Sequence, residues 1–373
     1  MKRLAYLRIA GLFCLMLLSG GPAYTQTLTK AHQAQVPITY PGDTNETVAR
    51  RAQWIEGAKK EGTLVWWGTL TPKEGARIVA EFNKIYPFIK VTYWRGKGEE
   101  IAAKLEVEFA AGRGTVDIAL GGEPYNYPRW RKIGMLDKFT DIMPGIKKMD
   151  KRMYSKNGDW AISGNNAITP QYNTKQVSAD EAPKSWDDLL NPKWKGQIAM
   201  TTDMKVWTTL ALEEGGWGIE KTEDFLKKMK QQQPIWAAGH TAGHNLLIAG
   251  EFKILVEDYW YHVMQSKEKG APVEWARVKP VPITGSSFSF QKNAPHPNAA
   301  KLFLEWQFSP QGLVTFEAMI GKGAAFPGSG TRVAKALEGL PLVIRTEEGE
   351  KKAIEMGWDK KFSNILGVTP AGD

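Results

Sequence analysis

Short apolar runs alternate along the chain with longer stretches in which apolar positions recur every three or four residues. Residues 63–67 (TLVWW), 89–94 (IKVTYW) and 116–120 (VDIAL) read as strands. Between them, residues 72–86 and 99–112 place Ile78, Val79 and Phe82, then Ile101, Leu105 and Phe109, on one helical face. A helix over 47–60 precedes the first strand and is expected to stop at Gly62, a glycine in the C′ position. This alternation predicts an α/β chain with mixed, mostly parallel sheets flanked by helices.

The same rhythm restarts downstream. Residues 167–172 (AITPQY), 197–201 (QIAMT), 253–257 (KILVE), 273–281 and 287–291 read as extended, and 297–308 as a strong helix. Ser185 is placed to cap a short helix. Two lobes are therefore expected, each with its own sheet. Lobe one takes residues 47–165 and 282–373, and lobe two takes 166–281. The chain would cross near 165–171 and return near 274–282, with the C-terminal helices completing lobe one and bracing its back.

The first residues follow a different pattern. Lys2, Arg3 and Arg8 precede a ten-residue apolar run, 9–18, too short to span a bilayer. Gly21 and Ala23 then stand as the small residues of a cleavage site, so residues 1–23 read as a secretory signal and 24–46 as an extended lead-in. Cys14 lies inside the apolar run rather than at its end, which argues against a lipid anchor. It is the sole cysteine, so no disulfide framework and no paired-cysteine metal site exists. Processing would lower the formal net charge from +9 to +6 and deliver an exported protein. Basic residues are scattered among acidic ones (Glu220-Lys221-Thr222-Glu223), which argues against nucleic acid and suits a modest preference for anions.

In open α/β sheets, ligands sit beyond the carboxyl ends of the strands. Four loops occupy such positions. They are 68–71 with Thr69; 121–125 with Gly122, Glu123 and Tyr125; 201–203 with Thr201 and Thr202; and 239–244 with Thr241 and His244. The last is expected to lead into a helix over 245–250. Glycines 239 and 243 predict loop there, which argues against His240 and His244 sharing a helix face as metal ligands. His32, His262 and His296 have no partner in spacing. Residues 258–262 (DYWYH) end a strand; if extended, Tyr259 and Tyr261 face one way and Trp260 the other. Such a cluster is either the edge of an aromatic core or a cleft wall, where phenols ligate a hard cation and an indole stacks on a ligand. Hydrolase-elbow, P-loop, zinc and dinucleotide motifs are absent from the sequence, so no enzyme is expected.

Several segments resemble, in order, the ferric-ion-binding branch of the type II periplasmic solute-binding proteins, which includes thiamine- and phosphonate-binding relatives. They are AKKEG (58–62), VDIALGGE (116–123), QYN (171–173), SWDDLLNPKWKGQIAM (185–200), AGEFKILVEDYWY (249–261), GAPVEW (270–275) and APHPNAAKLFLEWQFSPQG (294–312). The resemblance implies a two-lobed fold joined by crossing hinge strands, and a monomeric receptor that delivers a small molecule or ion to an inner-membrane ABC permease. Iron-binding members carry adjacent tyrosines where this chain has Tyr259-Trp260, so the pair is broken unless Tyr261 substitutes. Tyr172 matches a position that some relatives use for iron. Tyr172, Tyr259, Tyr261 and Glu123 could form an oxygen cage for Fe³⁺, with a synergistic anion on Thr201 and Thr202. A small organic solute of thiamine, phosphonate or carboxylate type, stacked on Trp260, is the other reading. From different classes come a secreted carbohydrate-active enzyme or lectin, suggested by the 15 tryptophans, and an exported sensor without a transported ligand.

Overall fold

The computed structural model describes residues 38–122 and 125–369. The expected signal, most of the lead-in and Glu123 lie outside the described residues. Helix α1 (Asn45–Glu61) starts at a capping box between Thr44 and Thr47 and ends at Gly62 with φ 66°. Strand β1 (Thr63–Gly68), helix α2 (Pro72–Ile85), strand β2 (Lys90–Arg95), helix α3 (Gly98–Ala110) and strand β3 (Ile118–Gly122) then follow the expected alternation. These strands are parallel, in the order β2-β1-β3. Short α4 (Asn126–Lys132) and β4 (Leu136–Asp137) lead to the long strand β5 (Trp160–Asn173).

The second half comprises β6 (Ile198–Thr201), α5 (Lys205–Leu210), α6 (Ile219–Gln231), β7 (Ile235–Ala237), α7 (His240–Ala249), β8 (Ile254–Tyr259), α8 (Trp260–Glu268) and β9 (Val273–Trp275). The chain returns along β10 (Val281–Gln291) into α9 (Pro297–Gln307), α10 (Pro310–Ile320), α11 (Arg332–Ala336), β11 (Leu342–Ile344), α12 (Glu347–Glu355) and α13 (Trp358–Leu366). Strand β10 runs antiparallel to both β3 and β5. It pairs with β5 as far as Ala167; from Ile168 onward β5 pairs instead with β8 and β9. One strand thus belongs to two sheets, and β6, β7 and β8 extend the second in parallel. No helix among the described residues is long and apolar enough to cross a membrane.

Each half has an aromatic core. In the first, Phe303 of α9 packs 5.2 Å from Trp66, 5.0 Å from Phe82 and 5.9 Å from Phe288, ring centre to ring centre. In the second, Trp186, Trp207 and Phe225 pack together beneath β6 and β8. Trp358, Phe362 and Leu366 join this second core, which corrects for α13 the expectation that the C-terminal helices complete lobe one, while α9 packs on the first. Their spacing of four residues builds an apolar stripe along α13, and such a stripe demands a partner without naming it. Two further expectations change. Helix α7 begins at His240 rather than 245, and the 258–262 stretch is not extended, because α8 starts at Trp260.

A buried ion cluster ties the start of the fold to the returning chain. Arg51 in α1 donates to Asp43 at 2.6 and 2.8 Å and to Glu305 of α9 at 2.6 and 3.1 Å. Arg51 is 1% exposed. Removing the cation leaves two buried carboxylates facing each other. Arg51→Ala is therefore expected to cost about 3–5 kcal/mol in urea unfolding; a loss below about 1 kcal/mol, typical of a surface pair, would contradict this reading.

Candidate functional site

Strands β6, β7 and β8 are parallel, so Thr201, Ala237 and Tyr259 end on the same edge of the second sheet. Asp258, one residue before that edge, is fully buried among three imidazoles. His262 Nδ1 hydrogen-bonds its Oδ1 at 2.8 Å. His244 Nδ1 lies 3.0 Å from Oδ2, and His240 Nδ1 lies 3.6 Å from Oδ1. His240 and His244 share one face of α7, contrary to the loop expected there. The reason is Gly243: a Cβ on it would stand 3.1 Å from the Ala237 side chain and 3.2 Å from Leu255. The glycine lets the helix press against the sheet; it does not break the helix.

Charges in this cluster are fixed by burial and by one another. Burial alone would raise the Asp258 carboxyl, but the three imidazoles packed around it hold it well below the usual carboxylate range. Burial would lower His240, yet Asp203 and Asp258 outweigh it and push the imidazole up to about 10. His240 is therefore an imidazolium at neutral pH, with Nε2 3.3 Å from Asp203. Glu257, facing away in the second core, is pushed up to about 8 by burial. It accepts from the Thr201 amide at 2.5 Å and hydroxyl at 3.0 Å. Thr201 is thereby committed to Glu257 and is not free for a ligand.

One atom from each of His244, Asp258 and His262 falls within 4.8 Å of the others, a spacing a metal ion could bridge. However, His244 already bonds Gln171 Oε1 through Nδ1 at 2.9 Å and Ser266 through Nε2 at 2.8 Å. Gln171 in turn donates to the Tyr259 carbonyl at 2.8 Å. These bonds commit His244 to a support under the edge of the sheet. Among the described residues, neither His240 Nδ1, beside Asp258 Oδ1, nor Asp258 Oδ2, beside His244 Nδ1, has a hydrogen bond of its own there.

Above it lies a cavity of about 400 Å³ between the two halves. Thr69 and Glu74 line it from the first half; Thr241, His244, Asn245, Tyr261, His262 and Gln265 line it from the second, and Lys322 follows α10 on its rim. The Tyr259 ring stacks on Tyr261 with centres 5.5 Å apart and planes 8° from parallel, and it packs 4.3 Å from His240. Burial pushes the Tyr261 phenol up, so it stays protonated and donates at neutral pH.

Of the candidate residues, Thr69, Thr241, His244 and Tyr261 line this cavity, and Tyr259 backs it. Tyr172 and Trp260 do not. They line a separate cavity of about 730 Å³ with Glu274, Trp275 and Arg277. The antiparallel register sets Ile168 opposite Tyr259 and Tyr172 opposite Ile254. Tyr172 is therefore four residues, roughly 13 Å, further along the strand. The three tyrosines expected around iron are not gathered. Gly122 ends β3 against Ser287, Tyr125 is exposed before α4, and Thr202 sits half-buried after β6. Sequence reasoning missed His262, Asn245, Gln265, Glu74 and Lys322. For His262 a signal existed, since it stands four residues after Asp258 where a strand gives way to a helix. Lys322, between two glycines, carried none.

Solved structures similar to this one include two-lobed binding proteins. Iron-bound HitA from Pseudomonas aeruginosa superposes with a TM-score of 0.63 at 18% identity, over 82% of this chain and 99% of that one. Trichodesmium FutA with iron and citrate gives 0.66 at 19%, over 83% and 100%. AfuA from Actinobacillus pleuropneumoniae with fructose-6-phosphate gives 0.61 at 21%, over 83% and 99%. An uncharacterized protein of Haemophilus influenzae is 30% identical over 146 residues, 37% of this chain and 40% of that protein, so the chain spans less than half of that relative. Residues 77–337, most of the fold described above, match the sequence pattern of one family, and the chain belongs to it: the bacterial extracellular solute-binding proteins.

Proposed function

We propose that this protein captures a small solute for an ABC importer. It is exported to the periplasm behind its N-terminal signal, works as a monomer and is not an enzyme. Its lobes, one built on residues 47–165 with the returning helices α9 and α10, the other on residues 166–281 with α13 packed against it, close over the ligand, and the closed form docks on an inner-membrane permease. The observation that carries this reading is the 400 Å³ cavity, walled by side chains from both halves, which are joined by β5 and β10. Bending of such strands opens or shuts a cleft, and a ligand that touches both walls favours the shut form.

The relatives named above hold iron, iron with citrate, or a sugar phosphate. In this chain a small organic solute suits the cavity better than ferric iron. Tyr172 lies in another cavity, Asp258 is enclosed by histidines, and the Thr201 amide and hydroxyl are committed to Glu257. What remains is hydroxyl, amide, imidazole and ammonium chemistry over an aromatic floor, which recognises an organic molecule.

Protein purified from periplasm without refolding is expected to be colourless, to release a small organic mass in native mass spectrometry, and to shrink in solution scattering when that guest is restored. A visible tyrosinate–iron band after addition of ferric citrate, lost in Tyr261→Phe, would establish iron instead. A second expectation concerns pH. Glu257 and His240 both hold protons more tightly folded than unfolded, rising from 4.5 to about 8 and from 6.5 to about 10. Each contribution is complete below the unfolded value and is lost as pH climbs through the folded one. Thermal stability should therefore fall from pH 4.5 to 8 through Glu257 and from pH 6.5 to 10 through His240, by on the order of a few kcal/mol. Asp203, Asp258, His244, His262 and Tyr259 surround the same imidazole. His240→Gln should flatten the slope above pH 8 and leave the Glu257 part below it; an unchanged melting profile would refute the assignment.

A further inference from the structure

Lys322 is the residue whose position the rest of the site does not explain. It stands between Gly321 and Gly323, after α10, and lines the cleft cavity. Among the described residues, no carboxylate lies within ion-pairing distance of its ammonium. The nearest acid of the cavity lining to act on it, Glu74, is committed to the α2 cap, accepting from the Thr71 amide and hydroxyl, each at 2.8 Å. Burial works against the charged form of the lysine. A cation desolvated without a counter-ion is costly, and an arriving anion relieves that cost.

The lysine is also held in place from both sides. Asn165 of β5 donates its backbone N–H to Gly323 O at 2.9 Å and accepts from Ala325 N through Oδ1 at 2.7 Å. A Cβ on Gly164 would come within 3.1 Å of the Lys322 side chain, so β5 lies directly against the loop. A Cβ on Gly321 would meet Gln265 at 2.6 Å and Tyr261 at 3.2 Å, so α8 closes the other side. The Lys322 ammonium lies 6.0 Å from the centre of the Tyr261 ring. Thr241 and Asn245 line the same cavity with donors, and Glu74, whose cap bonds both use Oε2, keeps Oε1 for ligand hydroxyls.

We infer that the solute is a small hydroxylated organic acid whose carboxylate or phosphate is held by Lys322, with its carbon skeleton on the Tyr261 ring. This rests on the receptor reading above and narrows its ligand. A compact cation presents a point charge that suits either oxyanion. The cavity volume, about 400 Å³, admits a molecule of sugar-acid or sugar-phosphate size.

The test pairs acids with neutral congeners. Fructose 6-phosphate and gluconate, against fructose and sorbitol, are added to the wild-type protein, Lys322→Met and Lys322→Arg, with melting temperature and calorimetric affinity as readouts. The guest extracted from freshly purified protein is identified by mass. At least one acid is expected to bind, with tenfold or greater weakening in Lys322→Met and less than about threefold in Lys322→Arg, while the unliganded variants melt like the wild type. Phosphate and carboxylate arms distinguish the two acid chemistries. Equal binding of a neutral congener, unchanged affinity in Lys322→Met, or a neutral, cationic or ferric guest overturns the assignment and leaves the receptor reading standing. If no guest is recovered and neither the panel nor ferric citrate changes melting or scattering, both readings fall.

Discussion

The arrangement depends on one strand serving two sheets. Strand β5 gives its first part to β10 and its second to β8 and β9. Buried along it are Ser163 and Asn165, then Thr169, Gln171 and Asn173, two apart within each group and therefore on one face. The Ser163 and Thr169 hydroxyls make no hydrogen bond among the described residues, and the three amides carry the connections. Asn165 ties down the loop after Lys322; Gln171 joins His244 to the Tyr259 carbonyl; Asn173 donates to Leu247 O at 2.8 Å. Segments remote in sequence are thus indexed to the crossing strand by side-chain amides that act as substitute backbone.

Asp258 extends that indexing to the site. An isolated carboxylate at full burial would be untenable, and three imidazoles make it tolerable. Two of them come from α7 and one from α8, so the charge draws both helices to the end of β8. Thr241 follows from the first helix and Tyr261 from the second. Electrostatic compensation below the cavity sets the geometry of its wall, while the Asp258 carboxylate itself does not line the cavity.

The local pattern carried the elements well. The order from α1 to β3 follows from apolar spacing and from Gly62, because both are properties of neighbouring residues. What depended on distant pairing was not legible. Gly243 reads as a loop residue in a window of ten; only the sheet behind it shows that the helix needs a missing side chain. The three tyrosines look equivalent by type, yet the register of β5 against β8 sends Tyr172 to another cavity. Thr201 has the composition of an anion loop, and Glu257, 56 residues later, absorbs its donors. The stripe on α13 was visible, while its partner, the second core, was not. The family resemblance supplied what spacing could not: that two α/β halves in this order make a cleft.

Helix α13 has a consequence for the order in which the protein takes shape. Trp358, Phe362 and Leu366 are among the last apolar residues of the chain, and they cover Phe225 and Leu226 from its middle. A polypeptide that emerges from its amino end keeps that patch uncovered until α13 has followed it, so the second core closes only after a long intervening stretch has been made.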